Sequence, residues 1–263
     1  LAKKSMLAAF FQKMLPILLL ISTILTHTSA QIRIVNGREG RIEDFPYQVS
    51  LRRYSIHVCG GAVIDAQWIV TAAHCIEAYQ KQPRVYSIRI NSSNRVKGGA
   101  VVSISKIFKH PLYNSETMNF DVALIRTEKN RLRGEFVQPI KLPTGNTPIM
   151  DNTEAVVSGW GHMSSSEHIL SELLKYTTVK VVNQQRCFDL MKTQGVVTEA
   201  MFCAAGRNTD ACQGDSGGPI QSGNVLIGLV SWGVGCADPH YPGIYTRLSY
   251  PTVRIWIKLL TGL

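Results

Sequence analysis

Residues Asp210-Ala211-Cys212-Gln213-Gly214-Asp215-Ser216-Gly217-Gly218-Pro219 decide how this chain is read. Glycines close on both sides of a serine mark backbone that must approach something closely, and they leave the hydroxyl accessible. Two carboxylates and a cysteine in the six preceding residues argue against a plain surface turn. Two stretches upstream add other chemistry: Thr71-Ala72-Ala73-His74-Cys75 and Phe120-Asp121-Val122-Ala123-Leu124-Ile125. A serine hydroxyl is a poor nucleophile near neutral pH and needs a base to take its proton. Imidazole is the side chain whose ordinary pKa suits that task. Taken singly, a His-Cys pair in an apolar run is a core or disulfide feature, and an aspartate at a strand start is a turn residue.

Taken together, in the order His74, Asp121, Ser216, the three stretches resemble the catalytic motifs of the trypsin-like serine proteases. The resemblance covers roughly residues 34–260. It implies His74 as general base, Asp121 as its orienting acid and Ser216 as nucleophile. Backbone N–H groups of Gly214 and Ser216 are implied as the oxyanion hole. It places Asp210 at the base of the primary pocket, where a carboxylate attracts arginine or lysine of the substrate. Ala211, Gln213, Ser231, Trp232, Gly233 and Gly243 are the matching pocket positions. Glycine at 233 and 243 leaves room for a long side chain, and Ala211 tilts preference toward arginine. Ile34-Val35-Asn36-Gly37 follows Arg33 as in zymogens of the family. A cut there implies a new Ile34 ammonium that enters the protein and pairs with Asp215.

The amino end carries Lys3, Lys4 and Lys13, an apolar run from Leu15 to Leu25, and Thr28-Ser29-Ala30. This is the pattern of a secretory signal peptide, too short for a membrane span. The expected division is a signal peptide over 1–30, a propeptide over 31–33 and a protease domain over 34–263. The chain begins with leucine, which points to Met6 or Met14 as the start. Six cysteines in a secreted chain can pair in 15 ways, and spacing alone does not choose. The resemblance implies Cys59–Cys75, Cys187–Cys203 and Cys212–Cys236, fewer bridges than vertebrate trypsins carry and closer to the invertebrate type.

Short β-branched runs bounded by turn formers read as strands, among them Trp68–Thr71, Val101–Phe108, Val122–Ile125 and Val225–Ser231. Only Val253, Trp256, Ile257 and Leu260 show clear helical spacing. The fold class is all-β, and the resemblance makes it two antiparallel six-stranded Greek-key barrels with a C-terminal helix. Their seam is expected near residues 139–148. Residues 1–33 hold four of the 28 Lys and Arg and none of the 18 acids. The remainder carries 24 basic and 18 acidic residues, a net of about +6. The basic side chains are scattered, which reads as a solvated surface and not as a nucleic-acid or membrane patch.

Three departures limit the resemblance. The stretch Asn91–Gly99 has no acid, so no calcium site is expected where vertebrate trypsins have one. No tyrosine lies between Cys187 and Cys203, where trypsins place one beside the pocket. Asn91-Ser92-Ser93 is an N-glycosylation sequon. The expectation is a secreted, monomeric endopeptidase without metal or cofactor, acting on polypeptides and met by protein protease inhibitors. A narrow cascade protease and a catalytically silent binding homologue are the competing readings.

Overall fold

The computed structural model describes residues 37–162, 169–206, 211–236 and 238–263. Six strands form the first barrel: β2 (Gln48–Arg53), β3 (Ile56–Val63), β4 (Trp68–Thr71), β5 (Tyr86–Ile90), β6 (Ala100–Lys109) and β7 (Ala123–Thr127). They close in the order β2-β3-β4-β7-β6-β5, all antiparallel. The second barrel holds β8 (Glu154–Gly159), β9 (Lys175–Val182), β10 (Met201–Ala205), β11 (Pro219–Ser222), β12 (Val225–Trp232) and β13 (Gly243–Arg247). Its circuit, β8-β9-β10-β13-β12-β11, repeats the first one strand for strand. In each barrel the fourth strand returns beside the first, which is the Greek-key arrangement. A short β1 (Arg38–Glu39) pairs with the outer edge of β9.

Strand alternation divides the main core in three, beside a smaller cluster of Cys187, Met191, Met201, Cys203 and Ile244. Ile69, Ile88, Ile90, Val102 and Ile125 fill the first barrel, and Val157, Val179, Phe202, Ile220 and Tyr245 fill the second. Trp68, Val70 and Leu124 point out of the first barrel and meet Trp160, Leu174, Leu226 and Leu229 of the second. Strands β4 and β7 are therefore apolar on both faces, which is why they read as unbroken hydrophobic runs. Full burial of each such side chain contributes about 1.5–3 kcal/mol.

Helix α2 (Pro251–Thr261) buries Val253 and Ile257 in the inter-barrel core, with Trp256 and Leu260 packed beside them. A second helix, α1 (Gln184–Met191), was not expected from the sequence, because only Cys187 and Met191 are buried on it. Its signal is local: Asn183 caps it by accepting from the Arg186 N–H. Strand β3 does not stand out as one run in the sequence, because Gly60-Gly61 interrupts it. Gly60 is needed because the barrels approach closely there: a Cβ on it would lie 2.7 Å from Gly218 Cα, while one on Gly61 would press on Val70 and Val49 of its own barrel.

The bridges are Cys59–Cys75, Cys187–Cys203 and Cys212–Cys236. The first two span 16 residues each, for which chain entropy predicts about 3 kcal/mol apiece. Among the described residues no helix is long and apolar enough to cross a membrane.

Candidate active site

Loops leaving three strand ends meet where the barrels join. His74 follows β4 by three residues, Asp121 precedes β7 by two, and Ser216 precedes β11 by three. Asp121 is fully buried and saturated with donors. Its Oδ1 accepts from the His74 backbone N–H at 3.0 Å, and its Oδ2 accepts from His74 Nδ1 at 2.8 Å. Ser231 Oγ donates to the same Oδ2 at 2.6 Å, and Thr246 Oγ1 donates to the Asp121 carbonyl at 2.8 Å. A carboxylate only accepts, so the His74 proton sits on Nδ1 and Nε2 keeps its lone pair. Burial pulls the His74 pKa down, but the hydrogen bond and charge of Asp121 outweigh it and the net shift is upward.

Ser216 sits at the start of a tight turn. Gly214 and Gly217 take φ of 95° and 72°, which side chains rarely tolerate. The turn is tied down by Gly60 N–H to the Ser216 carbonyl at 2.8 Å and Gly217 N–H to the Val230 carbonyl at 2.7 Å. Cys75 Sγ lies 3.6 Å from His74 Nε2 and 3.6 Å from the Ser216 carbonyl oxygen, so the Cys59–Cys75 bridge wedges the two loops side by side. Among the described residues no hydrogen bond joins Ser216 Oγ to His74, a looseness common in unliganded sites of this chemistry. The N–H groups of Gly214 and Ser216 likewise have no protein acceptor among the described residues.

Gly214 is held from outside the cleft by a residue the sequence did not single out. His57 Nε2 donates to the Gly214 carbonyl at 3.0 Å, while its Nδ1 faces Ser50 Oγ at 2.8 Å. Burial pushes the His57 pKa down to about 4, so it is neutral at pH 7, with its proton on Nε2. Asp215, next to Ser216, is fully buried too. Its carboxylate accepts from Gly161 N–H at 2.7 Å and Cys212 N–H at 3.0 Å. No cation faces it among the described residues, and burial lifts its pKa to about 6. Arg33 and Ile34 lie outside the described residues.

Beside Ser216 opens a cavity of about 240 Å³, lined by Ala211, Gln213, Ser231, Trp232, Gly233 and Gly243 among others. A Cβ on Gly233 would meet nothing closer than Gly243 Cα at 3.8 Å, so the entrance is open because both residues lack side chains. Asp210 lies outside the described residues. Where the sequence lacks a tyrosine, Gly195 lies against Trp232, and a Cβ there would come 2.8 Å from the indole. A larger cavity of about 520 Å³ beside α1 touches none of these groups.

Two other sequence features are placed plainly. The loop over 91–99 does not fit calcium. It has no carboxylate, and the Arg89 guanidinium donates to the Val96 carbonyl at 2.8 Å and to the Gly98 carbonyl. Asn91 is built into the fold: its Oδ1 accepts from Phe136 N–H at 3.0 Å, and a Cβ on Gly134 would sit 2.8 Å from its Nδ2. Ser93 Oγ of the same sequon accepts from Ile42 N–H. Cys59, His74 and Cys75 also cluster, but both sulfurs are spent in the bridge and offer no thiolate to a metal.

The trypsin family model matches residues 34–257. Trypsin 5G1 of Aedes aegypti is 39% identical over 234 residues, covering 88% of this chain and 86% of that relative. Trypsin alpha of Drosophila melanogaster is 40% identical over 226 residues, covering 86% of each. The solved structure of neuropsin, a serine protease expressed in the limbic system of mouse brain, superposes with a TM-score of 0.76. It is 32% identical and covers 85% of this chain and 98% of its own. On fold, site and relatives alike, this chain belongs to the trypsin family of serine proteases.

Proposed function

We propose that this protein is a secreted endopeptidase, made as a zymogen, that hydrolyses peptide bonds after arginine or lysine through an acyl-enzyme. The observation that carries the reading is the 2.8 Å Asp121–His74 hydrogen bond, with His74 Nε2 and the Ser216 carbonyl both 3.6 Å from Cys75 Sγ and the Gly214 and Ser216 N–H groups without a protein acceptor among the described residues. His74 Nε2 takes the Ser216 proton as Oγ attacks the scissile carbonyl, then returns it to the leaving amine. Asp121 keeps the imidazole in the tautomer that can do this and stabilises the imidazolium. Gly214 and Ser216 N–H groups receive the oxyanion; one such donor is worth about 2.7–4 kcal/mol of barrier. Asp210 supplies the charge that selects Arg or Lys, in a cavity whose glycine-lined mouth admits a long side chain.

Cleavage after Arg33 frees the Ile34 amine, and Asp215 is the buried carboxylate waiting for a cation. An unpaired buried charge is costly, so pairing orders the turn that carries Gly214 and Ser216. Residues 1–30 act as the signal peptide. The processed enzyme works as a monomer on polypeptides and is a target of protein protease inhibitors. A digestive or secreted-fluid role is the reading assigned, with a cascade role as the alternative.

The test is to cut the purified precursor after Arg33 and compare peptides bearing Arg, Lys, Phe or Ala before the scissile bond. Strong preference for Arg and Lys is expected. Equal rates on all four would remove the role given to Asp210, and full hydrolysis by Ser216→Ala would remove the proposed nucleophile. A silent homologue would show no hydrolysis of any of them; a cascade protease would cut one extended sequence and ignore short peptides.

A further inference from the structure

We propose that Arg95, far from the cleft in sequence and on the opposite barrel, is a positioning residue for the oxyanion hole. The proposal rests on the assignment of Gly214 and Ser216 above and deepens it.

The loop over 91–99 is rigid without a metal. Arg89 ties its far side through the Val96 and Gly98 carbonyls, and Ser92 Oγ bonds the carbonyls of Asn94 and Lys97. From this base the loop reaches across to residues 170–174 of the second barrel. Ser93 carbonyl accepts from Leu174 N–H at 2.7 Å and Arg95 N–H donates to the Glu172 carbonyl at 2.9 Å, a two-rung antiparallel ribbon between barrels. The Arg95 guanidinium then extends beyond the ribbon. Its Nε donates to the Ser171 carbonyl at 2.9 Å and its Nη2 to the Leu170 carbonyl at 3.4 Å. No carboxylate pairs with it among the described residues, so these carbonyls are what its charge is directed at.

Leu170 is the residue that matters at the other end. Its Cδ2 occupies the space a Cβ on Gly214 would need, so the leucine lies directly against the Gly214 backbone. The same segment is fastened to the wall behind the turn by Ser171 N–H to the Gly161 carbonyl, and Gly161 N–H in turn holds Asp215. Gly214 is thus clamped between His57 on its carbonyl and Leu170 on its Cα, and Arg95 fixes the second of those clamps. A bond from a charged donor is about twice as strong as a neutral one. An oxyanion donor displaced by a fraction of an ångström loses much of its effect, because its value depends on preorganisation.

The test uses the processed enzyme and its Arg95→Ala, Arg95→Lys and Leu170→Ala variants. A peptide aldehyde, which forms a tetrahedral adduct on Ser216, is compared with the matching peptide amide, which binds without an oxyanion. For Arg95→Ala, kcat and aldehyde affinity should each fall about tenfold, below the roughly hundredfold loss typical when a donor is removed outright. KM and amide affinity should stay within about twofold, since ground-state contacts are untouched. Arg95→Lys, which keeps one charged donor, should recover part of the loss, and Leu170→Ala should reproduce it. Unchanged kcat and aldehyde affinity in Arg95→Ala would overturn the proposal. So would parallel losses of aldehyde and amide affinity, which mark a general loosening. If Arg95→Ala does not fold, Leu170→Ala and Arg95→Lys decide by the same readouts. Failure of the wild-type enzyme to bind the aldehyde more tightly than the amide would instead refute the oxyanion assignment itself.

Discussion

Asp121 and Asp215 are the same residue type with the same complete burial, one on each side of the seam, and they are in opposite states. Asp121 is finished: three donors reach its carboxylate and one of them is an imidazole that can take up positive charge. Asp215 is unfinished, with two backbone N–H groups and no cation among the described residues. Burial alone therefore says little about what a carboxylate does. The difference lies in partners, and it separates a group that orients a proton-carrying imidazole from one poised to receive a charge.

The sharpest way to break the contrast is Asp121→Asn. An amide can present its NH₂ to His74 Nδ1 and force the proton to Nε2, the wrong tautomer for accepting from Ser216. Steady-state kcat should fall about 10⁴-fold, as in the general template for this triad. A loss under tenfold would mean that Asp121 does not set the tautomer.

Asp215 makes a prediction about stability and pH. Its folded pKa, about 6, is raised above the ordinary 3.8, so the protonated carboxyl favours the fold below pH 4 and that contribution is lost as pH rises through 6. Two units correspond to about 3 kcal/mol. His57 has the opposite sign, since its depressed pKa favours the fold above pH 6.5 and that contribution is lost as pH falls through 4. Comparing an uncleavable Arg33→Gln precursor with the processed form cancels His57, which both contain. From pH 4 to 7 the processed form should gain on the precursor by a few kcal/mol in urea unfolding. Parallel pH profiles would show that the Ile34 amine never reaches Asp215.

The smallest effect concerns Ser231, whose hydroxyl shares Asp121 Oδ2 with His74. In Ser231→Ala the carboxylate loses a donor, its charge acts more fully on His74, and the imidazolium is favoured. The acid limb of kcat/KM should move further up, in the direction in which Asp121 already holds His74, with kcat down about tenfold. A downward move would mean that Ser231 only shapes the pocket wall.

The residues that could be read from sequence are those whose meaning is carried by near neighbours along the chain. Ser216 is framed by its glycines, His74 by Thr71-Ala72-Ala73 and Cys75, and α2 by its own periodicity. Those that could not be read act across long separations. Ser231 reaches Asp121 over 110 positions, His57 reaches Gly214 over 157, and Arg95 reaches Ser171 over 76. Ser231 is visible in the sequence only as part of a pocket wall, and nothing beside His57 along the chain singles it out.

Sequence by itself determined the chemistry available and the strand patterning of an all-β chain, because hydroxyl, imidazole and alternation are local properties; the two barrels came from the resemblance its motifs carry. Tertiary structure alone decided which donors share Asp121, what clamps Gly214 and why the Asn91–Gly99 loop is closed by an arginine. Those outcomes follow from where two sheets distant in sequence meet, and no window of consecutive residues contains that information.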